Sequence, residues 1–170
     1  EVELLLSEIL KLDRLDLYLN FDKKVEEEKV NQMRDAIKLK GKKMPISYIL
    51  KSHQFMDLKL KINQNVFIPR PETEILVESV MKILSNHITD KFYILDIGTG
   101  CGNIPITIAT KSNLTKIVAI DNSYHAIKLA EENIKLYNVS KKIELFQFDI
   151  FNDDYQRLKH KTKKLDIVVS

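Results

Sequence analysis

The sequence predicts an α/β fold: a small helical bundle, then a β-hairpin linker, then a parallel sheet with helices packed on it. Three observations lead there. Residues 92–169 alternate short apolar runs with stretches of helical periodicity, which is the pattern of a parallel sheet with right-handed crossovers. The apolar run Ile94-Leu95-Asp96-Ile97 leads directly into glycines at 98, 100 and 102, and a second apolar run, 104–109, follows at once. Residues 1–50, by contrast, carry amphipathic stripes at helical spacing.

From the amino terminus, residues 2–12 place their apolar side chains on one broad helical face. Leu15, Leu17, Tyr18 and Leu19 make a second short helix, with Asp13 as its N-cap. Asp22 is expected to cap a third helix that runs to about Lys40 and ends at Gly41, with Val25, Val30, Met33, Ala36 and Ile37 as its apolar stripe. Pro45 opens a short turn of helix over 46–50. The period then changes to two. Phe55, Leu58, Leu60 and Ile62 alternate with polar residues around a turn at Met56-Asp57, and Val66-Phe67-Ile68 adds another short strand. Two prolines around Arg70 stop that run. A helix follows from about Glu72 to Asn86. It is expected to bury Ile75, Leu76, Val80, Ile83 and Leu84, with Thr73 or Glu72 serving its first turn in a capping box. Strands are expected at 92–97, 116–120, 143–148 and 165–169. Helices are expected at 103–111 and 123–137, the latter burying Ala126, Leu129, Ala130, Ile134 and Tyr137. The expected domains are 1–50, 51–70 and 71–170.

Composition bounds the function. With 44% hydrophobic and 30% charged residues, the 170-residue chain has the make-up of a soluble globular protein with a real core. No apolar run approaches the ~20 residues that span a bilayer. No signal peptide is visible, which leaves open one removed upstream; a cytoplasmic location is expected, with an organelle as the alternative. A single cysteine, Cys101, excludes an internal disulfide framework and suits a reducing compartment. The histidines at 53, 87, 125 and 160 are expected on the surface and offer no metal-ligand spacing. The net charge of +3 sits entirely in residues 91–170. Arg157, Lys159, Lys161, Lys163 and Lys164 supply much of it. That run lacks interleaved aromatics and a wider basic face, so it reads as a solvated helix end or loop rather than a nucleic-acid contact.

The chemistry concentrates at the glycines. Glycine lets a ligand approach backbone that a Cβ would block. Asp121, at the end of the next strand, is placed to bind two adjacent ribose hydroxyls. Ligands of parallel sheets sit at the carboxyl ends of the strands, where Gly98, Asp121 and Asp149 all fall. These features describe a nucleoside-cofactor site, and the spacing selects the nucleoside. The dinucleotide fingerprint has its third glycine five positions after the first. Here it comes after four, and Asn stands at 103. That favours S-adenosyl-L-methionine (SAM) over NAD, whose pyrophosphate the turn would also have to hold. Asp96 ends the first strand. An unpaired buried acid is costly, so its expected role is to anchor the loop or to accept a bond from the cofactor's amino group. Asp149 reads either as a turn residue or as an acceptor for the adenine amino group. Ile150 and Phe151 read either as flanks of that ring or as core. Cys101 is a small residue in a tight turn, and nothing beside it marks a nucleophile. Arg70, fixed between Pro69 and Pro71, meets no obvious structural need.

Three segments together resemble the protein-glutamine N5-methyltransferases that modify peptide-chain release factors. They are Pro45-Ile46-Ser47-Tyr48-Ile49-Leu50 with Phe55 after a short gap, Val66-Phe67-Ile68-Pro69-Arg70-Pro71-Glu72-Thr73-Glu74, and residues 94–102. The similarity covers essentially the whole chain. It implies a Rossmann-like SAM methyltransferase sheet behind a helical substrate-recognition domain. It implies a SAM site at Gly98, Thr99, Gly100, Cys101, Gly102 and Asp121, with Ile150 at a position that contacts adenine; Asp149 joins the expected cofactor side from its place after the third strand. It implies, as substrate, the glutamine of a Gly-Gly-Gln loop in a release factor; Arg70, displayed rigidly between two prolines, and Glu72 are expected on the substrate side. A sister family that methylates a ribosomal protein carries a different sequence at 70–74. No metal, membrane or direct nucleic-acid contact is expected. The family's catalytic signature, Asn-Pro-Pro-Tyr, follows the fourth strand, where this chain reaches Ser170. No catalytic residue is therefore assigned within it, the sheet is expected to be incomplete at about four strands, and the 170-residue chain alone is expected to bind SAM weakly and to be inactive. Two other classes stay open at this point. One is an NAD-dependent oxidoreductase, disfavoured by the glycine spacing. The other is a non-catalytic binding module whose helical domain docks a partner.

Overall fold

A computed structural model, which describes residues 1–87, 91–159 and 165–170, divides the chain into two units, Glu1–Ser52 and His53–Ser170. The first unit is four helices: α1 Val2–Leu10, α2 Arg14–Leu19, α3 Glu27–Gly41 and α4 Ile46–Leu50. Asp13 caps α2, its Oδ1 accepting the Asp16 amide at 2.8 Å. Helix α3 begins later than the sequence suggests, with Glu26 rather than Asp22 at its cap position. The preceding residues are committed to a turn. Lys23 N–H donates to the Asn20 carbonyl at 3.1 Å, and Asn20 Nδ2 is tied back to the Asp16 carbonyl at 2.6 Å. Gly41 is the last helical residue, not the stop after it. Ala36 is buried as expected, but Ile37 is 63% exposed, and half-buried Leu39 completes the stripe in its place.

The second unit opens with a hairpin, β1 Ser52–Phe55 and β2 Leu58–Lys61, turning at Met56-Asp57. Phe55, Leu58, Leu60 and Ile62 are all buried, as strand alternation requires. His53, expected on the surface, is half-buried in β1, and that burial lowers its pKa. Residues 66–68 do not form the expected strand. Val66 is buried and Phe67 is 93% exposed, so the alternation is present without a ladder. The turn at Asn63, whose Oδ1 accepts the Asn65 amide at 2.9 Å, diverts the chain from the hairpin edge.

Helix α5, Glu72–Ser85, buries Val77, Val80 and Leu84. Ile75 and Ile83, expected inside, are 64% and 46% exposed because they fall off the 77/80/84 stripe. The expected capping box is absent: Pro71 holds the cap position, with no side-chain cap bond. Glu74 instead accepts the Met56 amide at 2.8 Å and ties the helix to the hairpin tip.

Strands β3 Phe92–Ile97, β4 Thr115–Asp121, β5 Ile143–Gln147 and β6 Ile167–Val169 form one parallel sheet in the order β5-β4-β3-β6. The chain steps outward from β3 to β4 and β5, then returns to the other side of β3 as β6. That reversal opens a crevice at the carboxyl end of β3. The helices after β3 and β4 are α6 Asn103–Lys111 and α7 Tyr124–Leu136, and α6 is buried from Asn103 through Ala109. A short helix, α8 Gln156–Lys159, brings Leu158 against Val118, Ile120 and Phe148. Within the basic run, Arg157 pairs with Asp153 at 3.1 Å. Lys161, Lys163, Lys164 and His160 lie outside the described residues. Among the described residues no helix is long and apolar enough to cross a membrane. The architecture is the Rossmann-like α/β arrangement the sequence predicts, preceded in the chain by a helical region.

Candidate functional site

The loop from β3 to α6 holds its three glycines at positive φ: +76° at Gly98, +57° at Gly100 and +83° at Gly102. They differ in what surrounds them. A Cβ on Gly98 would meet nothing within 4 Å, so that face is open. A Cβ on Gly100 would make ordinary contact with Val66 Cγ1 at 3.5 Å. One on Gly102 would stand 2.9 Å from Ile106 Cδ1 and 3.4 Å from Ala130 Cβ. Gly102 is thus glycine for the packing of α6 and α7, whereas Gly98 leaves room that a ligand can occupy.

Backbone bonds sew the loop to β4. Gly98 N–H and Thr99 N–H both donate to the Ile120 carbonyl, at 2.8 and 2.9 Å, and Gly102 N–H donates to the Thr99 carbonyl at 2.8 Å. Asp121 is the hub. Its Oδ2 accepts Gly100 N–H and its Oδ1 accepts Ser123 N–H, each at 2.9 Å. Ser123 caps α7, its Oγ accepting the Ala126 amide at 3.3 Å. Asp121 therefore anchors the loop to α7. Each Asp121 oxygen still has acceptor capacity for a further donor.

Asp96 lies at the end of β3 with 1% of its surface exposed. Neither carboxylate oxygen has a hydrogen-bond partner, and the Thr99 hydroxyl has none either. Burial pushes the Asp96 pKa up to about 7; the nearby Thr99 hydroxyl tempers the rise and the Asp121 charge adds to it. Cys101 is equally buried, and burial pushes its thiol up to about 11, so it stays a thiol at neutral pH.

A cavity of about 620 Å³ lies over the loop, within the ~300–1,000 Å³ usual for ligand clefts. Residues 98–101 and Asp121 supply part of its lining, and the connector 65–70, including Arg70, supplies another part. Arg70 is exposed and makes no ion pair among the described residues. The structure thus brings Gly98, Thr99, Gly100, Cys101, Asp121 and Arg70 to one cavity. Gly102, Glu72, Asp149 and Ile150 lie outside its lining. Glu72 is exposed in the first turn of α5. Asp149 is engaged in its own turn: Oδ1 accepts the Phe151 amide and Oδ2 accepts Asn152 Nδ2, both at 2.9 Å, and the Asn152 bond lowers its pKa. Ile150 and Phe151 are 50% and 93% exposed, so neither is core.

Sequence reasoning passed over Asn133. It is wholly buried on α7, and its Nδ2 donates to the Cys101 carbonyl at 2.9 Å. The available signal was its place inside the apolar stripe, three and four residues after Ala130 and Leu129.

The family model described as Methyltransferase small domain matches residues 70–170, and the one described as PrmC N-terminal domain matches residues 1–50. The release factor glutamine methyltransferase of Clostridium botulinum is 36% identical over 172 residues, spanning 100% of this chain and 58% of that protein. Its counterpart from Rhodopirellula baltica is 32% identical over 154 residues, spanning 89% of this chain and 52% of that one. The chain therefore spans about half the length of the curated relatives it matches. A SAM-dependent methyltransferase of solved structure from Agrobacterium tumefaciens superposes on 69% of this chain and 37% of its own, with a TM-score of 0.54 at 17% identity, a likeness of fold. These matches bear out the resemblance read from the sequence.

Proposed function

Because the chain belongs to the methyltransferase small domain family, we propose that the intact protein moves a methyl group from SAM to the side-chain amide nitrogen of the glutamine in a release factor's Gly-Gly-Gln loop. The observation that carries this reading is a single cavity joining the glycine loop, Asp121 and the connector through Pro69 and Arg70. The names of the C. botulinum and R. baltica relatives support the same substrate.

The residues fit the cofactor. Gly98 has open space where a Cβ would stand. Asp121 has acceptor capacity left for the ribose hydroxyls. Asp96 is assigned to the amino group of the methionine moiety on the strength of its two unpartnered oxygens, although it is 1% exposed and lies outside the cavity lining. Asp149 lines a second cavity of about 440 Å³ together with Asn122, and Asn122 also lines the loop cavity, so the Asp149 side is assigned to adenine, with Ile150 next to it in the chain. When bound, SAM supplies a methyl group activated by its sulfonium. An amide nitrogen is a poor nucleophile because its lone pair is delocalised. The protein's part is to desolvate the amide, aim it in line, and favour charge on its oxygen as the proton leaves. Arg70, set between prolines on the cavity wall, is assigned to hold the substrate loop, and Glu72, two residues on and outside the lining, is assigned to the same side.

Incubation of the intact protein with radiolabelled SAM and release factors is expected to label the Gly-Gly-Gln glutamine. Label on a ribosomal protein instead would overturn the substrate. Arg70→Ala is expected to lower kcat/KM for the release factor by about tenfold or more, the worth of one charge-assisted hydrogen bond, and to leave SAM affinity within about threefold. Equal losses in both would move Arg70 into the cofactor site.

A further inference from the structure

We propose that Asn133 is a positioning residue that sets the glycine loop against the hairpin, and with it the width of the cofactor cavity. The inference rests on the reading of that cavity as a SAM site. Helix α7 lies along the edge of β2 and supplies the hydrogen bonds a neighbouring strand would otherwise give. Tyr137 Oη accepts Lys59 N–H at 2.7 Å and donates to the Lys59 carbonyl at 2.8 Å. Asn133 Oδ1 accepts Lys61 N–H at 2.8 Å, and its Nδ2 donates to the Lys61 carbonyl at 3.0 Å. Four residues of helix rise about 6.0 Å and two of strand about 6.6 Å, so the two side chains keep step with Lys59 and Lys61.

Asn133 does one thing more. Its second Nδ2 proton goes to the Cys101 carbonyl at 2.9 Å, so both donors and the acceptor of a fully buried amide are in use. No other residue type of that size presents two donors and one acceptor in this fork. The amide orientation is fixed, since a flip would set its NH₂ against Lys61 N–H. The bond to Cys101 orients the peptide between Cys101 and Gly102, inside the turn closed by Gly102 N–H on the Thr99 carbonyl. On the other side, the chain leaves Lys61 through buried Ile62 and the Asn63 turn to become the connector 65–70 of the cavity. One side chain thereby references two parts of the cavity lining to each other.

Three full-length proteins test this: wild type, Asn133→Ala and Tyr137→Phe, with Asn133→Ser standing in if the alanine variant does not fold. Hydrogen exchange and S-adenosylhomocysteine affinity are read well below each melting temperature. Loss of the loop bond is expected to speed exchange of amides 98–103 by about tenfold over that of β3 and β4, and to weaken the ligand by about tenfold. Tyr137→Phe, which loosens only the hairpin, is expected to change both by less than about twofold. Uniform acceleration in all segments, or the same loop change in Tyr137→Phe, would overturn the proposal and leave Asn133 a fold residue only. If wild type binds no ligand, the SAM reading fails, while the exchange pattern still decides whether Asn133 sets the loop.

Discussion

An Asp96→Asn variant is expected to gain stability over the wild type as pH rises and to lose SAM affinity at the same time. The carboxyl is buried, with only the nearby Thr99 hydroxyl to temper that burial, and its pKa stands at about 7 instead of the ordinary 3.8. Between about pH 4 and about pH 7 the folded protein keeps a proton that the unfolded chain has released. Raised acids of this kind lose stability as pH climbs through that window, and the loss is complete above the folded pKa. The shift corresponds to about 4 kcal/mol. Asparagine carries no such proton. Whatever its amide costs in that pocket is the same at every pH and cancels when two pH values are compared. The stability difference between variant and wild type is therefore expected to widen by about 4 kcal/mol from about pH 4 to about pH 8, roughly 10 °C of melting temperature for a chain of this size. Paired thermal melts across that range check it. A gap that stays constant with pH would show that Asp96 is not held protonated in the fold.

The same residue carries the functional half of the prediction. A cationic cofactor favours the ionised carboxylate, so wild-type SAM affinity is expected to rise with pH through about 7, while the variant binds more weakly with a flatter profile. The fold tolerates a costly buried acid, and a cationic ligand is expected to offset that cost. Strain of this kind, unexplained by packing, is what marks a site rather than a core.

The main elements of the second unit were legible because their signals are local. The run 92–97, the helix 103–111 and the Met56-Asp57 turn appear at the residues the pattern assigns. What failed depended on neighbours. Val66-Phe67-Ile68 has the composition of a strand, but the Asn63 turn carries it away from the hairpin edge. Ile75 and Ile83 are apolar and exposed, because which face of α5 is buried is decided by the sheet and not by the helix. At the site, the glycines and Asp121 could be placed from spacing alone. Their division of labour could not, because Asp121 Oδ2 meets Gly100 N–H only after β4 has paired in register with β3. Asn133 was hidden for the same reason: its partners lie 72 and 32 residues away.

Gly102→Ala and Gly98→Ala are expected to fail in opposite ways, although both replace a glycine of positive φ in one short loop. An alanine at 98 pays only the left-handed backbone penalty of about 1–2 kcal/mol, since its Cβ meets nothing within 4 Å. That Cβ stands in the open space assigned to the cofactor, so ligand affinity is expected to fall by about tenfold or more in a protein that remains folded. An alanine at 102 carries the same backbone penalty and also drives its Cβ to 2.9 Å from Ile106 Cδ1, between α6 and α7. Overpacking of that kind adds about 1–3 kcal/mol. The total, about 2–5 kcal/mol, is a large fraction of the stability of an ordinary domain. The folded remainder is expected to bind S-adenosylhomocysteine within about threefold of wild type, because Gly102 lies outside the cavity lining. Ile106→Val removes the Cδ1 atom that the new methyl would strike. Alone it is expected to cost about 0.5–1.5 kcal/mol, as deletion of a buried methyl does. Combined with Gly102→Ala it is expected to restore about 1–2 kcal/mol relative to the sum of the two single variants. Strict additivity in chemical denaturation would mean that the backbone conformation, not the packing of α6 against α7, is what requires glycine at 102.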